Sequence, residues 1–208
     1  EIICHDENDL KQDEKFWNMH HNFIEENPRG FGYWIWKCYL IQKKLQQINE
    51  DDILVYVDSG CEVNSNGKKK FFEYIDMLDN NENNFGLISF QLKNCLEKVW
   101  TKKTIIEHFN LDSSILNTNQ FLGTIIIIKK NPHSINILKE WNDNMKYELL
   151  NDVTFNEEEY FKENRHDQSI YSILVKKYGS IKIPDETFFF DWNDGINYPF
   201  LAKRSRPL

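Results

Sequence analysis

Apolar positions along the chain follow two spacings. Short unbroken runs rich in β-branched residues predict buried strands at Ile53–Val57, Gly86–Phe90, Thr124–Ile128 and Ser180–Ile183, and Ile2–Cys4 reads as a further strand. Between these runs the spacing changes to three and four. Gln12–Glu26 places Phe16, Met19, Phe23 and Ile24 on one helical face, and Asn27-Pro28-Arg29-Gly30 breaks it. Helices are predicted again over Tyr33–Ile48, Lys68–Leu78, Thr101–Phe109 and Ser134–Leu150, the last with Ile137, Trp141, Met145 and Leu149 stacked four apart. A final helix spans Asp167–Tyr178 and stops at Gly179. Beyond Pro184 the chain is aromatic and irregular. Strand-like and helical segments in alternation predict an α/β fold.

Composition narrows the class. The chain has 208 residues, 40 % hydrophobic and 14 % aromatic, enough for one domain with its own core rather than a disordered segment. No apolar run nears the roughly 20 residues that span a bilayer. Glu1–Leu10 is acidic where a signal peptide is basic, and the start at Glu1-Ile2-Ile3-Cys4 reads as the interior of a strand. The net charge of −8 argues against a nucleic-acid partner, since phosphate neutralisation needs a basic face. Cys4, Cys38, Cys61 and Cys95 form no Cys-x-x-Cys pair; they read as reduced thiols of a cytoplasmic protein rather than a zinc site.

Several stretches carry residue types suited to chemistry. Asp58 follows the run Ile53–Val57, with Ser59 and Gly60 after it. A carboxylate just past a buried strand lies at the carboxyl edge of a sheet, where α/β proteins bind ligands, and its hard oxygens suit Mg2+ or Mn2+. The same residues also make an ordinary turn. In Arg29-Gly30-Phe31-Gly32-Tyr33-Trp34-Ile35-Trp36-Lys37, two glycines lead through aromatics into a helix N-terminus, a natural anion site to which Arg29 and Lys37 add charge. An aromatic core patch behind a turn is the plainer alternative, and Trp36 is core on either. In Arg165-His166-Asp167-Gln168-Ser169, Asp167 is an N-cap, or a base or charge stabiliser with His166 and Gln168 orienting hydroxyls. Asn119 and Gln120 precede a buried strand and either hydrogen-bond a sugar or close a loop. The tail Lys203-Arg204-Ser205-Arg206 is a basic end behind an acidic body; it is solvated or folds over a diphosphate. His20-His21 lacks a third metal ligand at useful spacing, Lys68–Lys70 reads as a solvated helix start, and no Gly-x-Ser-x-Gly or P-loop signature occurs.

Gly30–Lys37, followed by a helix and then by Asp52-Ile53-Leu54-Val55-Tyr56-Val57-Asp58-Ser59-Gly60-Cys61, resembles the small GT-A-type glycosyltransferases of bacterial surface-polysaccharide clusters and large DNA viruses. His166-Asp167-Gln168-Ser169 is similar to their second acidic motif, and the resemblance extends over nearly the whole chain. It implies one GT-A (Rossmann-like) domain over residues 1–208, α/β, with a mixed, mainly parallel central sheet flanked by helices and the family's first strand missing before Glu1. It implies transfer of a sugar from a nucleoside-diphosphate sugar to a glycan or other hydroxyl acceptor, assisted by Mn2+ or Mg2+. Asp58 then opens an Asp-x-Asp metal motif whose third position is Gly60 here, with Glu62 the nearest substitute. The resemblance puts Lys37 near the donor, Asn119 and Gln120 on sugar hydroxyls, and Asp167 with Gln168 beside the anomeric carbon; Arg29, Gly32, Trp34 and His166 are further candidates for binding donor or substrate. That last pair resembles the pair of retaining enzymes. No histidine follows His166, so Lys203, Arg204 or Arg206 neutralises the diphosphate. A degenerate GT-A-like module that only binds sugar or nucleotide, favoured by Gly60, and a nucleotidyltransferase are the alternatives.

Overall fold

The computed structural model describes residues 1–203. Two helices open the chain, α1 (Glu7–Gln12) and α2 (Glu14–Glu26), followed by a short turn α3 (Gly30–Tyr33) and α4 (Trp36–Gln47). Then come β1 (Ile53–Val57), β2 (Glu62–Val63), α5 (Lys68–Asp79) and the long β3 (Leu87–Leu96). Three short helices, α6 (Glu97–Trp100), α7 (Lys103–His108) and α8 (Ser113–Leu116), lead to β4 (Asn119–Phe121) and β5 (Ile125–Lys129). The chain continues through α9 (Pro132–Asp143), α10 (Tyr147–Leu150), α11 (Asp167–Tyr178), β6 (Ile181–Pro184) and β7 (Phe200–Leu201).

The central sheet has the order β1-β5-β3-β4, with β6 also paired to β3. Residues of period two face opposite layers. Leu54, Tyr56, Leu87, Ile126 and Ile128 face a core with α2, α4, α9 and α11; Val55, Ile88, Phe90, Ile125 and Ile127 face Tyr74 and Leu78 of α5. This is an α/β protein with a mixed sheet flanked by helices.

The expectation of a mainly parallel sheet is corrected. Among the described residues β3–β6 is the parallel pairing, and β1–β5, β3–β5 and β3–β4 are antiparallel. Strand–helix alternation does give β1 and β3 the same direction, with α5 as the connection. β5, however, comes down between them and pairs with both, Val57 against Ile125 and Ile88 against Ile127. Ile2–Cys4 forms no strand; Ile2 is fully in solvent. The helix expected over Ser134–Leu150 is two, since α9 ends at the Asn144 cap, although Ile137, Trp141, Met145 and Leu149 are all buried as their spacing requires.

Candidate functional site

Four separate segments meet at the end of β1. Asp58 leaves the strand, its backbone N–H bonded to the Thr124 carbonyl. Lys37 stands in the first turn of α4, Gly123 precedes β5, and Asp167 is the first residue of α11. The Lys37 ammonium lies 2.7 Å from Asp167 Oδ2 and 3.4 Å from Asp58 Oδ1, and it donates to the Gly123 carbonyl at 3.2 Å. The Tyr56 hydroxyl donates to Asp58 Oδ1 at 2.6 Å. Asp58 Oδ2 takes no hydrogen bond or ion pair among the described residues.

A lysine that is 3 % exposed is rare, and the first turn of a helix is the wrong end for a cation. The two carboxylates account for it. Burial works against the ammonium, but Asp167 and Asp58 outweigh it and hold its pKa above the ordinary lysine value. Burial pushes Asp167 the other way, up to about 6 against Lys37, with the neighbouring Asp58 charge adding to the rise. Burial and Asp58 together raise the Tyr56 phenol, so it remains a donor. The result is a pair of unlike carboxylates. Asp58 has a side chain 30 % exposed and one open oxygen, whereas Asp167 is 5 % exposed and held by a cation.

Asp167 is not an N-cap. That position belongs to His166, which has φ 51° and makes no side-chain cap bond. His166 Nδ1 donates to the Leu150 carbonyl at 2.6 Å, and the ring lies stacked on Tyr33 and tilted against Trp34. These aromatics come from α3, which is a left-handed turn: Gly30, Phe31, Gly32, Tyr33 and Trp34 all have φ between 51° and 79°. The sequence reading of a helix N-terminus open to anions is therefore corrected. Gly32 is buried, where a Cβ would lie 2.7 Å from Ile24, and Trp34 covers Gly30. Arg29 is not at the Asp58 edge pairings either; it binds Asp152 at 3.2 Å and also Glu163.

The two amides serve the frame. Gln120 is fully buried; its Nε2 reaches Glu97, Thr101, Ser169 and the Trp100 carbonyl. Buried Glu97 also binds Lys176 at 2.7 Å and accepts from Ser172, which fixes α11 onto β4. Gln120 is thus removed from any sugar. Gln168 uses both ends of its amide, donating to Gln120 Oε1 at 2.9 Å and accepting the Gly123 N–H at 3.1 Å. Asn119 Oδ1 accepts the Cys95 N–H at 2.9 Å, closing the β3–β4 irregularity. Lys203 pairs with Glu62 at 2.8 Å and lies over Trp192. Arg204 and Arg206 lie outside the described residues. Sequence reasoning missed Tyr56, whose polar tip in an apolar strand was the available signal, and Asp152, which lies in an irregular stretch without one.

No family model matches the chain, and no curated protein and no solved structure matches it.

Proposed function

We propose that the chain is a glycosyltransferase acting on a nucleoside-diphosphate sugar, with Asp58 and Asp167 as its working carboxylates. The observation that supports this reading is the Lys37 ammonium, which joins the two carboxylates where four segments converge at the carboxyl end of β1. Cleaving the anomeric C–O bond leaves an anionic diphosphate and an oxocarbenium-like carbon, and fixed charges aimed at those centres are the main catalytic resource of such a site. Asp58 has the open oxygen and faces solvent, so it meets the donor. Asp167 supplies a preorganised negative charge or takes the acceptor proton; its raised pKa suits a base near neutrality. Gln168, with its amide already spent, positions Gly123 rather than touching substrate.

The residues present fit a divalent ion poorly. Asp167 already has a cation, Glu62 is paired with Lys203, and Asp58 offers one oxygen. Among the described residues no group of three or more His, Cys, Asp or Glu converges. The cation beside both carboxylates is the lysine.

Thermal shift against nucleoside diphosphates and nucleotide-sugars tests the reading. A ligand at 100 times its Kd stabilises by about 2.7 kcal/mol. One nucleotide should raise Tm, the rise should persist in EDTA, and Asp58→Asn should reduce it. Loss of the rise in EDTA would show that a divalent metal takes part in nucleotide binding, against the poor fit of the residues present. No rise with any nucleotide would contradict the transferase reading.

A further inference from the structure

Glu97 is fully buried, yet no step of the proposed reaction uses it. Four donors surround its carboxylate. Thr101 and Gln120 donate to Oε2 at 2.7 and 3.0 Å; Ser172 donates to Oε1, and the Lys176 ammonium lies 2.7 Å from the same oxygen. A buried ion pair is a poor source of stability, since desolvation offsets the attraction. What Glu97 does supply is a direction.

Its neighbour Gln120 is fully buried as well, and a side-chain amide has a donor end and an acceptor end. One end of Gln120 meets four groups that all accept. The Glu97 carboxylate and the Trp100 carbonyl, at 3.0 and 3.2 Å, have no proton to give. The hydroxyls of Thr101 and Ser169, at 3.0 and 3.1 Å, have given theirs to Glu97 and to the Trp100 carbonyl. That end is therefore the NH2, and Oε1 points the other way, to Gln168. Gln168 must answer with its own NH2, at 2.9 Å, which turns its Oε1 to the Gly123 N–H at 3.1 Å. A backbone N–H donates and cannot accept, so both ends of the chain of amides demand the same sense. Gly123 permits the close approach: a Cβ there would lie 3.2 Å from Gln168 Cβ. Its carbonyl then meets Lys37 at 3.2 Å. An ammonium has three N–H bonds, and here they face three oxygens, on Asp167, Asp58 and Gly123. The carboxylates supply the attraction; the carbonyl, fixed in the backbone, sets how the ammonium stands between them.

We propose that Gln120 is a positioning residue for Lys37: Glu97 sets the sense of its amide, and Gln168 carries that sense to Gly123 and the ammonium. Resting on the transferase reading above, this relay holds Lys37 where it serves both carboxylates in the transition state, without touching substrate.

Gln120→Met is the selective variant. Without the amide, Glu97 keeps Thr101, Ser172 and Lys176, and the Trp100 carbonyl keeps Ser169, so the partner lost is that of Gln168 Nε2. NMR of the full chain reads the result at two places. The Gly123 N–H should exchange with solvent at least about tenfold faster, and the Lys37 ammonium signal should shift. The adjacent Leu122 N–H, bonded to the Phe90 carbonyl at 2.8 Å, should keep its native rate. With a nucleotide-sugar, kcat should fall about tenfold at unchanged KM, as when an interaction made in the transition state is lost. Gln168→Met cuts the relay at a half-buried residue and should give the same four results, so the test stands even if Gln120→Met does not fold. Unchanged Gly123 exchange, or Leu122 and Gly123 opening together, would reduce Gln120 to sheet packing and overturn the proposal. An unmoved Lys37 signal or a native kcat would overturn it too. A native chain that turns over no nucleotide-sugar would sink the transferase reading, and the two NMR signals would still decide the relay; turnover by the native chain with both signals unmoved in the variants would sink the relay alone.

Discussion

Lys37 gives up a fully hydrated ammonium for three protein oxygens, and that exchange stands only while both carboxylates remain. Lys37→Met should therefore cost about 3–5 kcal/mol in chemical denaturation, because Asp167 would be left buried and uncompensated. Adding Asp167→Asn to Lys37→Met should restore part of that loss, since the second change removes the orphaned charge. The pH dependence has a definite sign. Asp167 has a folded-state pKa near 6, above its ordinary 3.8, so the folded chain holds that proton more tightly than the unfolded chain. Its contribution to stability is fully present below about 3.8 and is lost as pH rises through about 6. The stability of the native chain relative to Asp167→Asn should fall across that window; a flat difference would refute the shift. At this scale the sequence pointed to Lys37, Asp58 and Asp167 individually, each by its neighbours. Their union was not legible, because no local pattern records that residues 37, 58, 123 and 167 meet. Gln120 was misread for the converse reason: an amide before a strand looks the same whether it faces a ligand or, as here, buried Glu97.

At the scale of elements, the left-handed turn α3 is the costliest local conformation in the site. L residues in that region lose about 1–2 kcal/mol each, and Phe31, Tyr33 and Trp34 all occupy it. Gly30 and Gly32 relieve two of the five positions. Gly30 has φ +60°, and a Cβ there would lie 2.6 Å from the Trp34 ring. Gly30→Ala should thus lower stability by at least about 1 kcal/mol, seen as a drop of roughly 2–4 °C in Tm for a chain of this size. An unchanged Tm would mean that the turn is not held as described. The glycine–aromatic alternation told of a tight turn, but its hand depends on Trp34 and His166 packing across it, a contact more than 130 residues apart in sequence. Helices α2, α4, α5 and α11 were legible because their apolar faces repeat over several turns. The break between α9 and α10 was not, since the buried stripe continues through it.

For the whole molecule, the alternation of strands and helices carried the class, and the three-layer arrangement follows from period-two burial on both faces of β1, β3 and β5. Strand direction was beyond reach of the pattern: the run Thr124–Ile128 is equally apolar whichever way it enters the sheet, and its antiparallel place between β1 and β3 is set at its ends by the backbone bonds of Lys130 to Asp52 and of Asp58 to Thr124. That placement brings Gly123 to Lys37 and so completes the site. The most direct test of the central claim is release of nucleoside diphosphate from a panel of nucleotide-sugars, with sugar acceptors present, by the native chain and by Asp58→Asn and Asp167→Asn. One donor should turn over, and each substitution should slow it at least about 100-fold while the chain still unfolds cooperatively. Turnover that survives in both variants would contradict the assignment of the two carboxylates joined by Lys37.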